Sequence, residues 1–277
     1  MNENDILARA AKALNAAGIE GGARDARKLY DHAYQCGGRA QEPQSRDRPN
    51  AMTLALFESA LTERLARRPV SHIVGKRAFW SHDFIVTPDV LDPRPETELL
   101  VELALQGPFK RVLDLGTGSG CILISLLAAR PEARGVGTDI SDKAVLVAGQ
   151  NAAAIGVADR LILPLSEWFD DIGGRYDLIV SNPPYIAAAE MAALQPEVRE
   201  YEPRMALTDG ADGLTAYHAI AKGARAHLVP GGRILLEIGP TQGAQVTRIL
   251  ADAGLEDVQI HSDMDGRDRV VSAISPE

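Results

Sequence analysis

Cysteine is scarce in this 277-residue chain: Cys36 and Cys121 are the only two, far apart, the second at the start of an apolar helical stretch. Neither a disulfide framework nor a zinc site is expected from them. His32, His72, His82, His218, His227 and His261 show no ligand spacing, so they read as surface or packing residues and no metal is implied. Basic residues are in deficit as well. Lys and Arg total 29 against 38 Asp and Glu, a net charge of -9. Phosphate neutralisation supplies most of the affinity of a DNA clamp, so this balance argues against one and leaves room only for a local basic patch. Nowhere do eighteen apolar residues run together, and Met1-Asn2-Glu3-Asn4-Asp5 is polar and acidic with no signal-peptide core. A cytoplasmic protein that neither crosses a membrane nor leaves the cell is therefore expected. Internal repeats and low-complexity tracts are also lacking.

What is present is enough apolar residue, 45%, for a sizeable core in a chain long enough for two domains. Ile6, Leu7, Ala10 and Leu14 mark one amphipathic helix, Ala26, Leu29, Tyr30 and Ala33 a second, and Leu54, Phe57, Leu61 and Leu65 a third. The polar, proline-punctuated run Gln41 to Pro49 reads as a loop between helices. Around Phe79-Trp80 and Phe84-Ile85-Val86 the pattern shortens to extended runs, a hairpin. From about Pro95 onward helix and strand alternate, with strands near Val112, Val136, Leu161, Ile179, Leu235, Val258 and Val270. That alternation predicts a doubly wound α/β fold on a largely parallel sheet, with the last two strands antiparallel across Asp263 to Asp268. The expected division is a helical domain over 1–74, a hairpin over 75–92 and an α/β domain over 93–277.

The strand Tyr176-Asp177-Leu178-Ile179-Val180 delivers the tetrapeptide Asn182-Pro183-Pro184-Tyr185. An amide or aromatic amine has a delocalised lone pair, so it is a poor nucleophile that must be oriented and polarised rather than simply deprotonated. The Asn182 carboxamide oxygen and the Pro183 carbonyl can each accept one N–H of such a group. The two prolines stiffen the loop, and Tyr185 offers a flat face. Alone, the tetrapeptide is equally a strand end followed by a proline turn.

A second motif lies upstream. Val112 to Leu115 form an apolar strand that runs into Gly116-Thr117-Gly118-Ser119-Gly120 and then the helical stretch from Cys121. Glycines permit positive φ and close approach of a ligand, and helix-start N–H groups meet a carboxylate or phosphate. The spacing Gly-x-Gly-x-Gly is not that of dinucleotide binders. One strand later Asp139 ends Gly135-Val136-Gly137-Thr138 and is suited to ribose hydroxyls. Glycine turn, acid and Asn-Pro-Pro-Tyr together select S-adenosylmethionine as electrophile and a planar nitrogen as target.

These residues resemble the protein-(glutamine-N5) methyltransferases that modify peptide-chain release factors, the HemK/PrmC type. Nearly the whole chain carries the likeness: Arg68 to Gly75 with Phe79-Trp80, Pro93-Arg94-Pro95-Glu96-Thr97-Glu98, the glycine turn, Asn-Pro-Pro-Tyr, Tyr201-Glu202-Pro203-Arg204, and Gly231 to Gly239. The resemblance implies a class I S-adenosylmethionine-dependent methyltransferase domain, Rossmann-like with a mostly parallel seven-stranded sheet. It also implies a helical N-terminal substrate-docking domain, a linking hairpin, and as substrate the glutamine of the release-factor Gly-Gly-Gln loop. Gly116 to Gly120 would cradle the cofactor, Asp139 its ribose and Trp168 its adenine, while Asn182 through Tyr185 would hold the glutamine amide. His72 and Asp92 depart from the family pattern at sites that bear on local packing, and Ser166-Glu167 departs just before Trp168. Arg94, Glu96 and Glu98 read as a salt-bridged helix start with acids in its first turn.

No general base is required, because the extra proton can leave to solvent after the displacement. Three other readings share parts of this pattern: a DNA adenine methyltransferase acting on a flipped base, a glutamine methyltransferase acting on a ribosomal protein, and a silent cofactor-binding protein, which would have no need of Asn182. A monomer is expected.

Overall fold

A computed structural model describes residues 2–38 and 45–277. It resolves into two compact units, one comprising the chain up to Lys76 together with Gln195–Tyr201, the other Arg77–Leu194 and Glu202–Glu277.

The first unit is helical. α1 (Glu3–Ala16) begins at a capping box, in which the Asn2 side chain accepts from the Asp5 N–H and the Asp5 carboxylate accepts from the Asn2 N–H. α2 (Gly22–Gly37), α3 (Ala51–Leu65) and the short α4 (Val70–Val74) follow, α3 capped by the Asn50 side chain. Ile6, Ala10 and Leu14 of α1 pack with Ala26, Leu29, Tyr30 and Ala33 of α2 and Phe57 and Leu61 of α3. The expected stripes of α1 and α2 match this core.

The stripe of α3 needs correction. Leu54 and Leu65 are each 37% exposed, and the buried face runs instead through Thr53, Phe57, Ala60, Leu61 and Arg64. Arg64 faces inward because its guanidinium pairs with Asp25 at 2.9 Å and with Glu197 at 3.0 Å. A buried ion pair thus rotates the helix away from the face that hydrophobicity alone selects. The polar run expected as a loop at Gln41 to Pro49 lies partly outside the described residues; its later part forms a tight turn with Ser45 paired to Arg48.

β1 (Lys76–Phe79) and β2 (His82–Ile85) form the expected hairpin, with Trp80 at φ 52 in its turn. The larger unit then alternates α5 (Glu98–Gln106), β3 (Arg111–Leu115), α6 (Cys121–Ala129), β4 (Arg134–Thr138), α7 (Asp142–Ile155), β5 (Leu161–Ile162) and β6 (Tyr176–Ser181). It continues, after α8 (Pro196–Tyr201) of the helical unit, with α9 (Arg204–Leu207), α10 (Thr215–His227), β7 (Leu228–Glu237), α11 (Gly243–Asp252), β8 (Glu256–Ser262) and β9 (Asp268–Ile274). The seven strands lie in the order β5-β4-β3-β6-β7-β9-β8, parallel except for β9, which runs against both β7 and β8.

Apolar cores cover both faces. Leu100, Leu123, Ile124 and Leu127 pack with Val112, Leu178 and Val180 on one side, and Tyr217, Ile220, Val246 and Leu250 with Leu113, Ile179 and Ile234 on the other. Strands buried on both faces are apolar on both, which is why β3 and β6 are mostly hydrophobic despite Asp114 and Asp177. The strand order reverses at β3, and crevices at the carboxyl ends of strands around such a point are where ligands bind in open α/β sheets.

Candidate active site

Strand register assembles the site. Leu115 on β3 lies beside Thr138 on β4 and beside Ser181 on β6, and Ser181 lies beside Leu236 on β7. One residue further along these strands come Asp139, Gly116, Asn182 and Glu237, a single row across the carboxyl edge. Neighbouring strands are about 4.8 Å apart, so residues remote in sequence become neighbours. A hydrogen bond from Ser181 Oγ to the Leu115 carbonyl, 2.6 Å, staples β6 to β3 just before both chains leave the sheet.

The glycine turn leaves β3 with Gly116, Gly118 and Gly120 at φ 70, 56 and 81. A Cβ added at Gly118 would meet no atom within 4 Å, so positive φ and not crowding demands glycine there. The open side of the turn forms one wall of a cleft of about 1030 Å³, counting the space open to solvent, lined also by Thr117, Ser119, Asp139, Trp168, Asn182 and Pro184. Gly120 caps α6 behind the lining.

Asp139 bridges the turn to the next helix: its Oδ2 accepts the Gly118 N–H at 2.9 Å and its Oδ1 the Ser141 N–H at 2.9 Å. Each oxygen keeps a further lone pair for a ligand donor. Burial raises its pKa above the usual carboxylate value. Asp114 is wholly buried behind the turn, accepts from Thr117 Oγ1 at 2.7 Å, and has no protein donor at its Oδ1. Burial pushes it up to about 7, with the Thr117 hydroxyl opposing and the nearby Asp139 reinforcing the shift.

Trp168 lies against the glycine turn with φ 50, its carbonyl accepting from Thr138 Oγ1 at 3.3 Å. A bulky residue in the left-handed region stores about 1–3 kcal/mol of strain. Such strain persists only where the surroundings impose it, and here they hold an indole on the cleft wall.

In the tetrapeptide, Asn182 Nδ2 donates to Thr97 Oγ1 at 3.3 Å. Asn182 and Pro184 reach the cleft, whereas Pro183 and Tyr185 stand behind its lining. The Tyr185 ring packs against the second core, where burial pushes its phenol up to about 12, and its carbonyl accepts from Gln242 Nε2 at 2.9 Å. Gly213 must be glycine because a Cβ there would lie 2.2 Å from that carbonyl oxygen. The loop is therefore fixed from behind by α11 and by the turn before α10.

The Pro-Arg-Pro-Glu-Thr-Glu segment is the expected salt-bridged helix start with Glu96 and Glu98 in its first turns, and its partners lie outside it. Glu98 opens α5 and its Oε1 accepts the Trp80 N–H at 2.8 Å, and Arg94 pairs with Glu202 at 2.6 Å. The segment thereby also anchors longer-range contacts, with the buried Glu202 and Asp92 as the partners of Arg94.

Sequence reasoning gave no role to Thr97, Glu237, Asp114 or Asn151. Glu237 carried a usable signal, an acid closing an apolar strand as Asp139 does. Asn151, in mid-helix, carried none. It is buried, donates from Nδ2 to the Ser119 and Ile85 carbonyls at 2.8 and 3.0 Å, and accepts the Ile85 N–H at 2.7 Å, tying the glycine turn to the hairpin.

The residues fit S-adenosylmethionine. The backbone cradle is open at Gly118, Asp139 retains acceptor capacity, and Asp114 has a buried oxygen with no donor. Asp139 and Glu167 line the cleft, while Arg94 is already paired with Glu202 and Asp89 with Lys143, so the local field favours a sulfonium. Among the described residues, no group of three His, Cys, Asp or Glu is placed to hold a metal, and no helix is long and apolar enough to cross a membrane.

Fold and site together define a class I S-adenosylmethionine-dependent methyltransferase. The family described as Methyltransferase small domain matches residues 78–198, and that described as PrmC N-terminal domain matches residues 5–75. The chain is 56% identical over 276 residues to a release factor glutamine methyltransferase of Cereibacter sphaeroides, covering 100% of this chain and 99% of that one. It is 42% identical to the Rhodospirillum rubrum protein of the same name, covering 97% and 83%. A methyltransferase of Pyrococcus furiosus shares the fold with a TM-score of 0.57 at 17% identity, over 78% of this chain and 100% of that one. The chain belongs to the release factor glutamine methyltransferase family, as its motifs implied.

Proposed function

We propose that this enzyme methylates the side-chain amide nitrogen of the glutamine in the Gly-Gly-Gln loop of peptide-chain release factors. The observation that carries the reading is the position of Asn182 in the row Asp139–Gly116–Asn182–Glu237, with its Nδ2 engaged by Thr97 and its Oδ1 left to accept from a substrate. Membership of the family supplies the identity of the substrate.

When bound, S-adenosylmethionine supplies a methyl group activated by its sulfonium. The glycine turn from Gly116 to Gly120 holds the cofactor by its backbone, Asp139 accepts from its ribose, and the Trp168 indole walls its adenine. Asn182 Oδ1 accepts one N–H of the glutamine amide, concentrating negative charge on its nitrogen and fixing its approach, whereas Pro183, expected as a second acceptor, stands behind the lining and serves the loop. Pro184 and Tyr185 stiffen and back that loop. The proton released after methylation passes to water, and no side chain takes it.

The helical unit over 1–74 docks the folded release factor, a second contact that raises the effective concentration of the glutamine at the site. α3 exposes Met52, Leu54, Leu56 and Leu65 for this purpose. On this reading the enzyme works in the cytoplasm as a monomer and binds no nucleic acid directly, in keeping with its acidic balance. Mass spectrometry of a release factor incubated with enzyme and cofactor tests it: one methyl group on the Gly-Gly-Gln glutamine is expected. An unmodified release factor, with methyl found instead on a ribosomal protein or on DNA adenine, would overturn it.

A further inference from the structure

A primary amide brings three polar groups into a cleft, two N–H donors and one carbonyl oxygen. Asn182 Oδ1 takes one of the donors. The oxygen needs a donor of its own, and it matters more, because an amide is richer in electrons at oxygen than at nitrogen. Left free, it would forgo a hydrogen bond and compete with the nitrogen for the methyl group.

Arg94 is the only cationic side chain among the described residues that line the cleft. Beside a sulfonium an arginine is out of place on charge alone, and the structure offsets that charge from behind. Arg94 Nη2 donates to Glu202 Oε1 at 2.6 Å, and its Nη1 lies 4.0 Å from Asp92 Oδ2, an oxygen shared with Arg77 at 3.7 Å. The cluster of two arginines and two carboxylates is formally neutral. Both acids are buried, neither lines the cleft, and each keeps an oxygen, Glu202 Oε2 and Asp92 Oδ1, with no hydrogen-bond partner. Among the described residues, Arg94 Nε and Nη1 make no hydrogen bond, and the side chain stays 31% exposed. Free donors in a neutral cluster suit a neutral carbonyl better than a carboxylate.

The backbone sets Arg94 one turn from Asn182. The Arg94 carbonyl accepts the Thr97 N–H at 3.1 Å, and Thr97 Oγ1 accepts from Asn182 Nδ2 at 3.3 Å. Other donors of the lining are occupied: the Thr117 hydroxyl donates to Asp114, the Ser166 hydroxyl to the Asp170 carbonyl, and Asn182 Nδ2 to Thr97.

We propose that Arg94 is a substrate-binding residue that donates to the side-chain carbonyl oxygen of the glutamine while Asn182 accepts from its nitrogen. The inference rests on the proposed amide methylation. A donor and an acceptor set apart admit a carboxamide one way round only, so the pair decides which end of the amide meets the methyl group.

Arg94→Met, Arg94→Lys and the double variant Arg94→Met with Glu202→Gln test this on release-factor methylation. Arg94→Met leaves Glu202 buried without its cation, so it should lose stability and activity together. The double variant removes both charges and should recover Tm, yet its kcat/KM should stay roughly 10–100-fold below wild type, the scale of one hydrogen bond from a charged donor. Its Kd for S-adenosylmethionine should stay within about threefold of wild type, well below that loss. Arg94→Lys keeps the charge without the fork and should fall between. A Gly-Gly-Gln peptide and the same peptide with norvaline for glutamine, measured as competitors, separate the side-chain oxygen from the peptide backbone. The first should bind more weakly to the double variant than to wild type, and the second should bind both alike. Recovery of kcat/KM in the double variant to within about twofold of wild type, far inside the loss expected, would show that Arg94 only neutralises Glu202. An equal loss of cofactor affinity would assign Arg94 to the cofactor, and equal weakening of both peptides would assign it to the backbone; each of these three results overturns the proposal. Wild-type enzyme that leaves the release factor unmodified would instead remove the substrate reading, and this proposal with it.

Discussion

Asn151→Leu should loosen the cofactor site by removing a tie that lies outside the cleft lining. Leucine keeps the heavy-atom branching of asparagine, so the main perturbation is the loss of polar atoms, with some added bulk at a buried site. Three backbone groups lose their partner: the Ser119 carbonyl, 2.8 Å from Nδ2, the Ile85 carbonyl, 3.0 Å from it, and the Ile85 N–H, 2.7 Å from Oδ1. A buried group left unsatisfied costs about 1–3 kcal/mol. Ile85 is only partly buried, so water can serve its two groups, and the low end applies to them. The sum is about 3 kcal/mol, or roughly 6–12 °C in Tm at about 2–4 °C per kcal/mol. Because Ser119 belongs to the turn that carries Gly118, affinity for S-adenosylmethionine should fall with stability, on the order of tenfold in Kd. Thermal melts with and without cofactor, and a calorimetric titration at a temperature where both proteins are folded, measure the two effects. A Tm within 2 °C of wild type, or a lowered Tm with unchanged Kd, would refute the reasoning that Asn151 joins the hairpin to the glycine turn.

Asn182→Ala should reduce single-turnover methylation by about 10²–10³, by analogy with removal of one fixed transition-state contact, while cofactor affinity changes much less; a rate within twofold of wild type would exclude the assigned role. Asp114 has its pKa raised in the folded state to about 7 from 3.8, so the native protein binds more protons than the unfolded chain between those values and stability falls as pH rises through that window. Asp114→Asn should therefore melt above wild type at pH 8 and approach it near pH 4, and a pH-independent difference would contradict the assignment. Leu54→Glu combined with Leu65→Glu on the exposed face of α3 should raise KM for intact release factor several-fold, with little effect on a short Gly-Gly-Gln peptide or on Tm. Equal effects on peptide and protein would remove the docking role. S-adenosylmethionine should give a calorimetric signal and NAD none; binding of NAD alone would reject the cofactor reading.

The alternation of apolar strands and helices, the glycine turn, Asp139 and the Asn-Pro-Pro-Tyr loop were all readable before any coordinates, because each follows from local chemistry. A strand buried on both faces must be mostly apolar, a turn at positive φ selects glycine, and a loop that must stay rigid selects proline. Local chemistry misled where a distant partner outweighed it: α3 turns Arg64 inward to meet Asp25 and Glu197. Asn151 could not be read at all, since an asparagine in mid-helix looks the same whether it faces water or three backbone groups.

By itself, then, the sequence determined the kinds of element, the parallel sheet and the chemical groups available at strand ends. Only the tertiary structure decided which ends stand side by side. Register is a property of strand pairs, and it is the pairing of Leu115 with Thr138 and Ser181, and of Ser181 with Leu236, that turns four separate strand ends into one row. The partner of the Asn182 amide, Thr97, likewise reaches it from another element. Hydrogen bonds act over about 3 Å, so no residue can show its partner until folding has brought that partner within reach.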